Sequence, residues 1–116
     1  MIIVIFRMEV LGEKLKEFLQ TVPVILSTTS QQPGCIHHHL CQDLESENRF
    51  FIIQEWEHQS ELDAYWCSDR FSTFLGTFHL LKKTPTLQIH AVSFVAGMEA
   101  VKAVRSRLKP MDTKLQ

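Results

Sequence analysis

Two runs of strand periodicity, Cys35–Gln42 and Arg49–Glu57, are joined by the polar stretch Asp43–Asn48. Alternation at period two sends successive side chains to opposite faces, so two such runs this close specify an antiparallel hairpin. In the second run Phe50, Ile52, Gln54 and Trp56 oppose Phe51, Ile53 and Glu55. In the first, Ile36, His38 and Leu40 oppose Cys35, His37, His39 and Cys41. Whatever covers one face of this hairpin leaves a second face that is far from polar.

The flanking segments follow a different period. Ile2–Phe6 is a continuous apolar, β-branched run that suits a strand. Glu13–Ser30 carries Leu15, Phe18, Leu19, Val22, Ile25 and Leu26 at helical spacing, with Pro23 expected to kink or divide the helix. Pro33-Gly34 ends it in a turn. Beyond the hairpin, Ser60 with Asp63 reads as the cap of a short helix bearing Leu62, Tyr65 and Trp66. Ser68-Asp69 starts another helix, which carries Phe71, Phe74, Leu75, Phe78 and Leu81, and a last strand is expected over Thr86–Val95. The order β-α-β-β-α-β predicts an α+β, ferredoxin-like fold: a four-stranded antiparallel sheet with helices on one face. Phe51, Ile53, Val92 and Phe94 would occupy the open face, amid His37, His39, Glu55 and His90. Such a patch predicts a homodimer formed by two sheets face to face.

The remaining 97–116 stretch differs in charge. It holds Lys102, Arg105, Arg107, Lys109 and Lys114 against Glu99 and Asp112, a net +3, so residues 1–96 carry −4. A core domain over 1–96 and a basic helical tail over 97–116 are expected. Met98, Val101, Val104 and Leu108 share one side of the tail helix, Lys102, Arg105 and Lys109 another, and Lys109-Pro110 should stop it. A helix this short must dock to be stable, on the body or on a dimer partner.

Several function classes are disfavoured. Twelve Lys and Arg against thirteen Asp and Glu make nucleic acid a poor partner. No apolar run approaches the ~18–20 residues of a membrane span. Cys35, Cys41 and Cys67 form neither a CxxC nor a disulfide framework, which fits a reducing compartment. With no basic leader ahead of an apolar stretch, a cytoplasmic location is expected. Gly12, Gly34, Gly76 and Gly97 are isolated, so no nucleotide-cradling loop is present and no cofactor is expected.

The chain resembles the antibiotic biosynthesis monooxygenase family over about Met1–Val95. The resemblance is carried by Pro33-Gly34-Cys35-Ile36, Arg49-Phe50, Gln54-Glu55-Trp56-Glu57, Leu62-Asp63-Ala64 and Ser68-Asp69-Arg70-Phe71. It implies a dimeric α+β barrel. It also implies chemistry drawn from quinol or polyphenol oxygenases that need no cofactor, haem-degrading enzymes, or processors of a phosphorylated metabolite. The haem-degrading pattern is not met, because Phe6-Arg7 and Leu75 stand at its key positions and His79 lies one turn beyond. The actinorhodin-type oxygenase pattern is met at Trp56, with Leu40, Ile52 and Leu62 where that enzyme keeps polar groups.

Among the candidate functional residues, only His37 and His39 of the histidine triplet share a strand face. Two imidazoles without a placed carboxylate or thiolate leave a metal site incomplete unless a dimer partner adds its own pair, so no metal is expected. His38 should point with Ile36 and Leu40 toward the helices, where an apolar setting keeps the imidazole neutral and able to act as a base. Trp56, Tyr65, Trp66, Phe71, Phe74 and Phe78, with His79 near the same stripe, are the expected walls for a planar aromatic substrate. The function expected is monooxygenation of a quinol-like or polycyclic aromatic molecule by O₂, with His38 as base. A non-catalytic binding or sensing module of the same fold is the alternative.

Overall fold

A computed structural model describes the backbone of residues 1–114 and the side chains of residues 1–108. β1 (Ile2–Glu9) runs into a 3-10 turn and α1 (Leu15–Leu26), and a second 3-10 turn leads to β2 (Cys35–Asp43) and β3 (Ser46–Trp56). α2 (Gln59–Trp66), α3 (Asp69–Leu75), a 3-10 turn at Phe78–Leu80, β4 (Thr86–Ala91) and α4 (Met98–Lys114) complete the chain. The strands form one antiparallel sheet in the order β2-β3-β1-β4, the arrangement of a ferredoxin-like α+β fold. The sheet of one chain is open, not a closed barrel.

Period two on β1 and β3 decides what is buried. Val4, Phe6 and Met8 of β1, with Phe50, Ile52 and Trp56 of β3, face the helices and are almost fully buried. They pack against Phe18, Val22 and Leu26 of α1, Leu62 and Tyr65 of α2, and Phe74 of α3. The opposite face carries Ile3, Ile5, Phe51 and Ile53, all left partly exposed.

Several expectations shift. α1 is shorter than Glu13–Ser30 and passes through Pro23 unbroken. The carbonyl that loses its donor there belongs to Leu19, a residue open to solvent where water can take the place of the missing bond. The hairpin turn is tighter than Asp43–Asn48, since β2 reaches Asp43 and β3 starts at Ser46. α2 begins ahead of Ser60, with His58 in the extended cap conformation. Asp63 is therefore no cap partner and instead accepts from Gln59 Nε2 at 2.9 Å. Ser68 does cap α3, its Oγ accepting from Phe71 N at 3.2 Å. α3 stops at Leu75, so Phe78 and His79 lie in the 3-10 turn and not on the helix.

β4 ends at Ala91 instead of Val95. Val92 still donates to the carbonyl of Met1 at 2.9 Å, just past the end of the strand. Phe94 is thus beyond the sheet and 80% exposed. A bulge between Cys35 and His37 shifts the phase of β2, turning Cys35 toward the core and leaving Ile36 exposed.

Gly34, just before β2, has φ +82°, and the Glu61 carboxylate fills the space where a Cβ would stand. Left-handed backbone costs a residue with a Cβ about 1–2 kcal/mol before any clash. Gly34→Ala should lower the melting temperature by several degrees; a thermal scan matching the parent chain would contradict this.

α4 projects from the body. Its apolar stripe of Met98, Val101, Val104 and Leu108 stays exposed, and the molecule reaches 58 Å along its longest axis. Docking on the chain's own body is therefore not observed. The helix also continues past Pro110 to Lys114, because proline's φ is helical and its cost is one lost donor plus local bending. The side expected for Lys109 lies outside the described side chains. Among the described residues, no helix is long and apolar enough to cross a membrane.

Candidate functional site

His38 stands in the middle of β2, opposite Gln54 of β3, and faces the helices. Above it, α1 and the segment after it supply Leu19, Pro23, Leu26, Ser27 and Ser30; Leu40, Gln42 and Phe50 flank it on the sheet. Together they line an open pocket of about 430 Å³, within the ~300–1,000 Å³ usual for small-molecule sites. His38 is the only ionisable side chain in this lining. Its Nε2 is buried without a hydrogen-bond partner. Burial pushes the imidazole pKa below its ordinary 6.5, and the neighbouring charge of His39 adds to the effect. The result is a neutral ring with an uncommitted nitrogen in a pocket lined by both apolar and polar side chains.

A buried polar group lies next to it. Gln54 is 1% exposed, and its Oε1 accepts from Trp56 Nε1 at 2.9 Å. Tyr65 packs against Trp56 at a tilt of 32°, with centroids 5.2 Å apart. Burial raises the Tyr65 phenol above its ordinary pKa, and hydrogen bonding to Thr29 and Gln54 partly offsets the rise. The phenol therefore stays protonated at neutral pH.

The structure brings the six expected aromatic residues together with one another, but none of them lines the His38 pocket. Tyr65 meets Phe71 at 5.4 Å, Phe71 meets Trp66 at 4.7 Å, and Phe74 meets Phe78 at 5.2 Å. Phe6 closes the group edge-on against Phe74 at 5.8 Å. Trp56, Tyr65 and Phe74 are fully packed, whereas Trp66, Phe71 and Phe78 are half-buried. His79 is exposed, its Nδ1 2.9 Å from the Gly76 carbonyl. Sequence reasoning missed the α1 side of the pocket. The signal was present, since a helix-facing His38 must meet the apolar stripe of α1, and Pro23 lies on that helix.

Other candidates are less organised. His37 and His39 stack at 6.1 Å on the open sheet face, as expected, beside Glu55 and Ile53. They gather no third metal-ligand side chain among the described residues. Glu57, His58 and Glu61 do place three donor atoms within 4.8 Å of one another, at the surface. Cys35 donates weakly to the His37 carbonyl, and burial raises its thiol pKa, which disfavours a thiolate nucleophile.

Comparisons with known proteins agree with this architecture. A conserved protein from Methanosarcina mazei Go1 is 28% identical, with a TM-score of 0.71 over 77% of this chain and 89% of that one. An antibiotic biosynthesis monooxygenase structure matches with a TM-score of 0.75 at 20% identity, over 81% of this chain and all of that one. A protein from Nitrosomonas europaea assigned to the same class reaches 0.75 at 15% identity, over 81% of this chain and 100% of that one; at such identities these two likenesses speak for the fold. No curated protein matches. The model of the family described as antibiotic biosynthesis monooxygenase matches residues 1–76, the part of the chain that builds β1 through α3 and frames the His38 pocket, and the chain belongs to that family.

Proposed function

We propose that the chain is a cofactor-independent monooxygenase acting on a quinol-like or polycyclic aromatic small molecule with O₂. The observation that carries this reading is the unpartnered, buried Nε2 of His38 in a pocket of about 430 Å³. A neutral imidazole there accepts the phenolic proton of a bound hydroquinone, and the resulting phenolate is electron-rich enough to reduce O₂. The stoichiometry closes without a separate reductant: a quinol and O₂ give a hydroxyquinone and water. The substrate supplies all four electrons, one oxygen atom forms the new C–O bond, and the other leaves as water. Leu19, Pro23, Leu26, Leu40 and Phe50 hold the ring and restrict water; Ser27, Ser30 and Gln42 offer polar contacts for its oxygens. Trp56 and Tyr65 act through Gln54, which they hold beside His38, and Trp66, Phe71, Phe74 and Phe78 brace that pair. Oxygen uptake with a panel of naphthohydroquinones tests the reading; no enzyme-dependent uptake across the panel would end it.

One observation favours a second reading, a binding or sensing module without turnover: His38 is the only ionisable group in the lining. Quinones that raise the melting temperature yet are never converted would select it.

The open face of Ile3, Ile5, Phe51 and Ile53 supports a homodimer in which two sheets meet and close a barrel between chains. The basic α4 then has a place to dock, on the acidic body of the partner copy. Sedimentation at micromolar concentration should return about twice the 13.5 kDa chain mass; a stable monomer would contradict the face-to-face arrangement.

A further inference from the structure

Residues 1–96 are acidic overall and contain only seven Lys or Arg, yet three of these, Arg7, Arg49 and Lys83, line one pocket of about 210 Å³ at the end of the sheet. We propose that this pocket binds the phosphate or carboxylate group of a small anionic molecule, at a site separate from that of His38. The two linings share no residue.

The cations are held there by the fold. Arg7 pairs across the ladders with Phe51 and Thr86, and Arg49 pairs with Glu9, which puts both arginines on the open face at the end of the sheet, so the proposal requires the pocket to stay open at the rim of the face-to-face dimer. The loop that carries Lys83 and Thr84 is fixed to the end of β1, with Lys82 N donating to the Glu9 carbonyl at 2.7 Å. The adjoining Leu81 bridges Val10, and Leu11 N donates to the Leu80 carbonyl at 3.0 Å. Three like charges converging on one cavity repel each other, and the pocket answers them only in part. Arg49 is held by Asp43 at 3.3 Å and by Glu9 at 3.9 Å. Arg7 donates one N–H to Gln88 Oε1 at 3.1 Å, and among the described residues neither Arg7 nor Lys83 has a carboxylate within 4.0 Å.

Arg49 is thus compensated by Asp43 and Glu9, and the unbalanced positive charge of the lining is that of Arg7 and Lys83. A guanidinium with free N–H groups matches two oxygens of an oxyanion, and an ammonium adds a point charge. Thr84 and Thr86 complete the lining on the side of Lys83. A cavity this small, below the ~300 Å³ where whole small-molecule sites begin, suits an anionic group better than a bulky ring. That separates it by chemistry as well as by position from the aromatic site.

Amide chemical shifts of the full chain, followed during titration with inorganic phosphate and separately with succinate against chloride at matched ionic strength, test the proposal. The expected result is saturable movement of Arg7, Lys83, Thr84 and Thr86 with at least one probe, and the probe that saturates identifies phosphate or carboxylate as the ligand group. Lys83→Ala, in a loop outside the core, should weaken that binding by about tenfold, whereas Lys16→Ala should leave it unchanged. The proposal is overturned if neither probe saturates beyond chloride or if Lys83→Ala binds as the parent does. It is equally overturned if the shifts map to Lys102 and Arg105 of α4.

Discussion

His38→Gln should lower enzyme-dependent oxygen uptake by about 10²–10⁴-fold, the usual contribution of a positioned general base. Glutamine keeps much of the ring's bulk and polarity and removes only the ability to take a proton. A variant that folds and binds quinones but retains full uptake would remove His38 from the mechanism. The pH dependence carries a sign that can be worked out. Because burial holds the His38 pKa below 6.5, the neutral base persists through neutral pH, and turnover should fall only on the acid side of that value. Stability follows the same group. At acidic pH the unfolded chain binds the proton that the folded chain resists, so stability drops as pH falls below 6.5, down through the depressed folded pKa. His38→Gln should flatten that part of the stability profile, which denaturant titrations at several pH values would read directly.

Trp56→Ala is expected to be the most damaging single change to the fold. The indole is completely buried, packs against Tyr65, and supplies the hydrogen bond that satisfies buried Gln54. Truncating a buried tryptophan costs about 3–5 kcal/mol, a large share of the ~5–15 kcal/mol that stabilises a domain. At ~4–8 °C per kcal/mol for a domain near this size, the melting temperature should fall by more than about 12 °C. Trp56→Phe separates packing from polarity. It keeps most of the ring contact but strands Gln54 Oε1, at a cost of about 1–3 kcal/mol. If Phe proves as stable as Trp in thermal unfolding, the Gln54 bond contributes nothing.

The strands that face a core on one side were legible in the sequence because period two and burial agree there: Phe50, Ile52, Gln54 and Trp56 all turn inward as their alternation requires. Reading failed where an interaction distant in sequence sets the boundary. Nothing near Phe94 says that β4 stops pairing with β1 at Ala91, and nothing near Cys35 announces a bulge opposite Trp56. The helix-facing orientation of His38 was legible because one face of a strand must meet the helices. The walls of its pocket were harder to find, since an aromatic residue at helical spacing fills a core or lines a cavity with the same pattern. Trp56, Tyr65 and Phe74 went to the core, and the cavity opened instead beside α1.

The exposed stripe of α4 makes part of this fold a matter of mass action. A helix of 17 residues with its apolar stripe exposed is little longer than the ~12–15 residues below which an isolated helix is marginal in water, so its order depends on whatever covers Val101 and Val104. If that cover is a second copy of the chain, amide protons of the arm will exchange more slowly as the protein is concentrated, while those of β1 will not respond. At low abundance the same arm would fray, and protease sensitivity at Lys102 and Arg105 would then report how much of the protein is assembled.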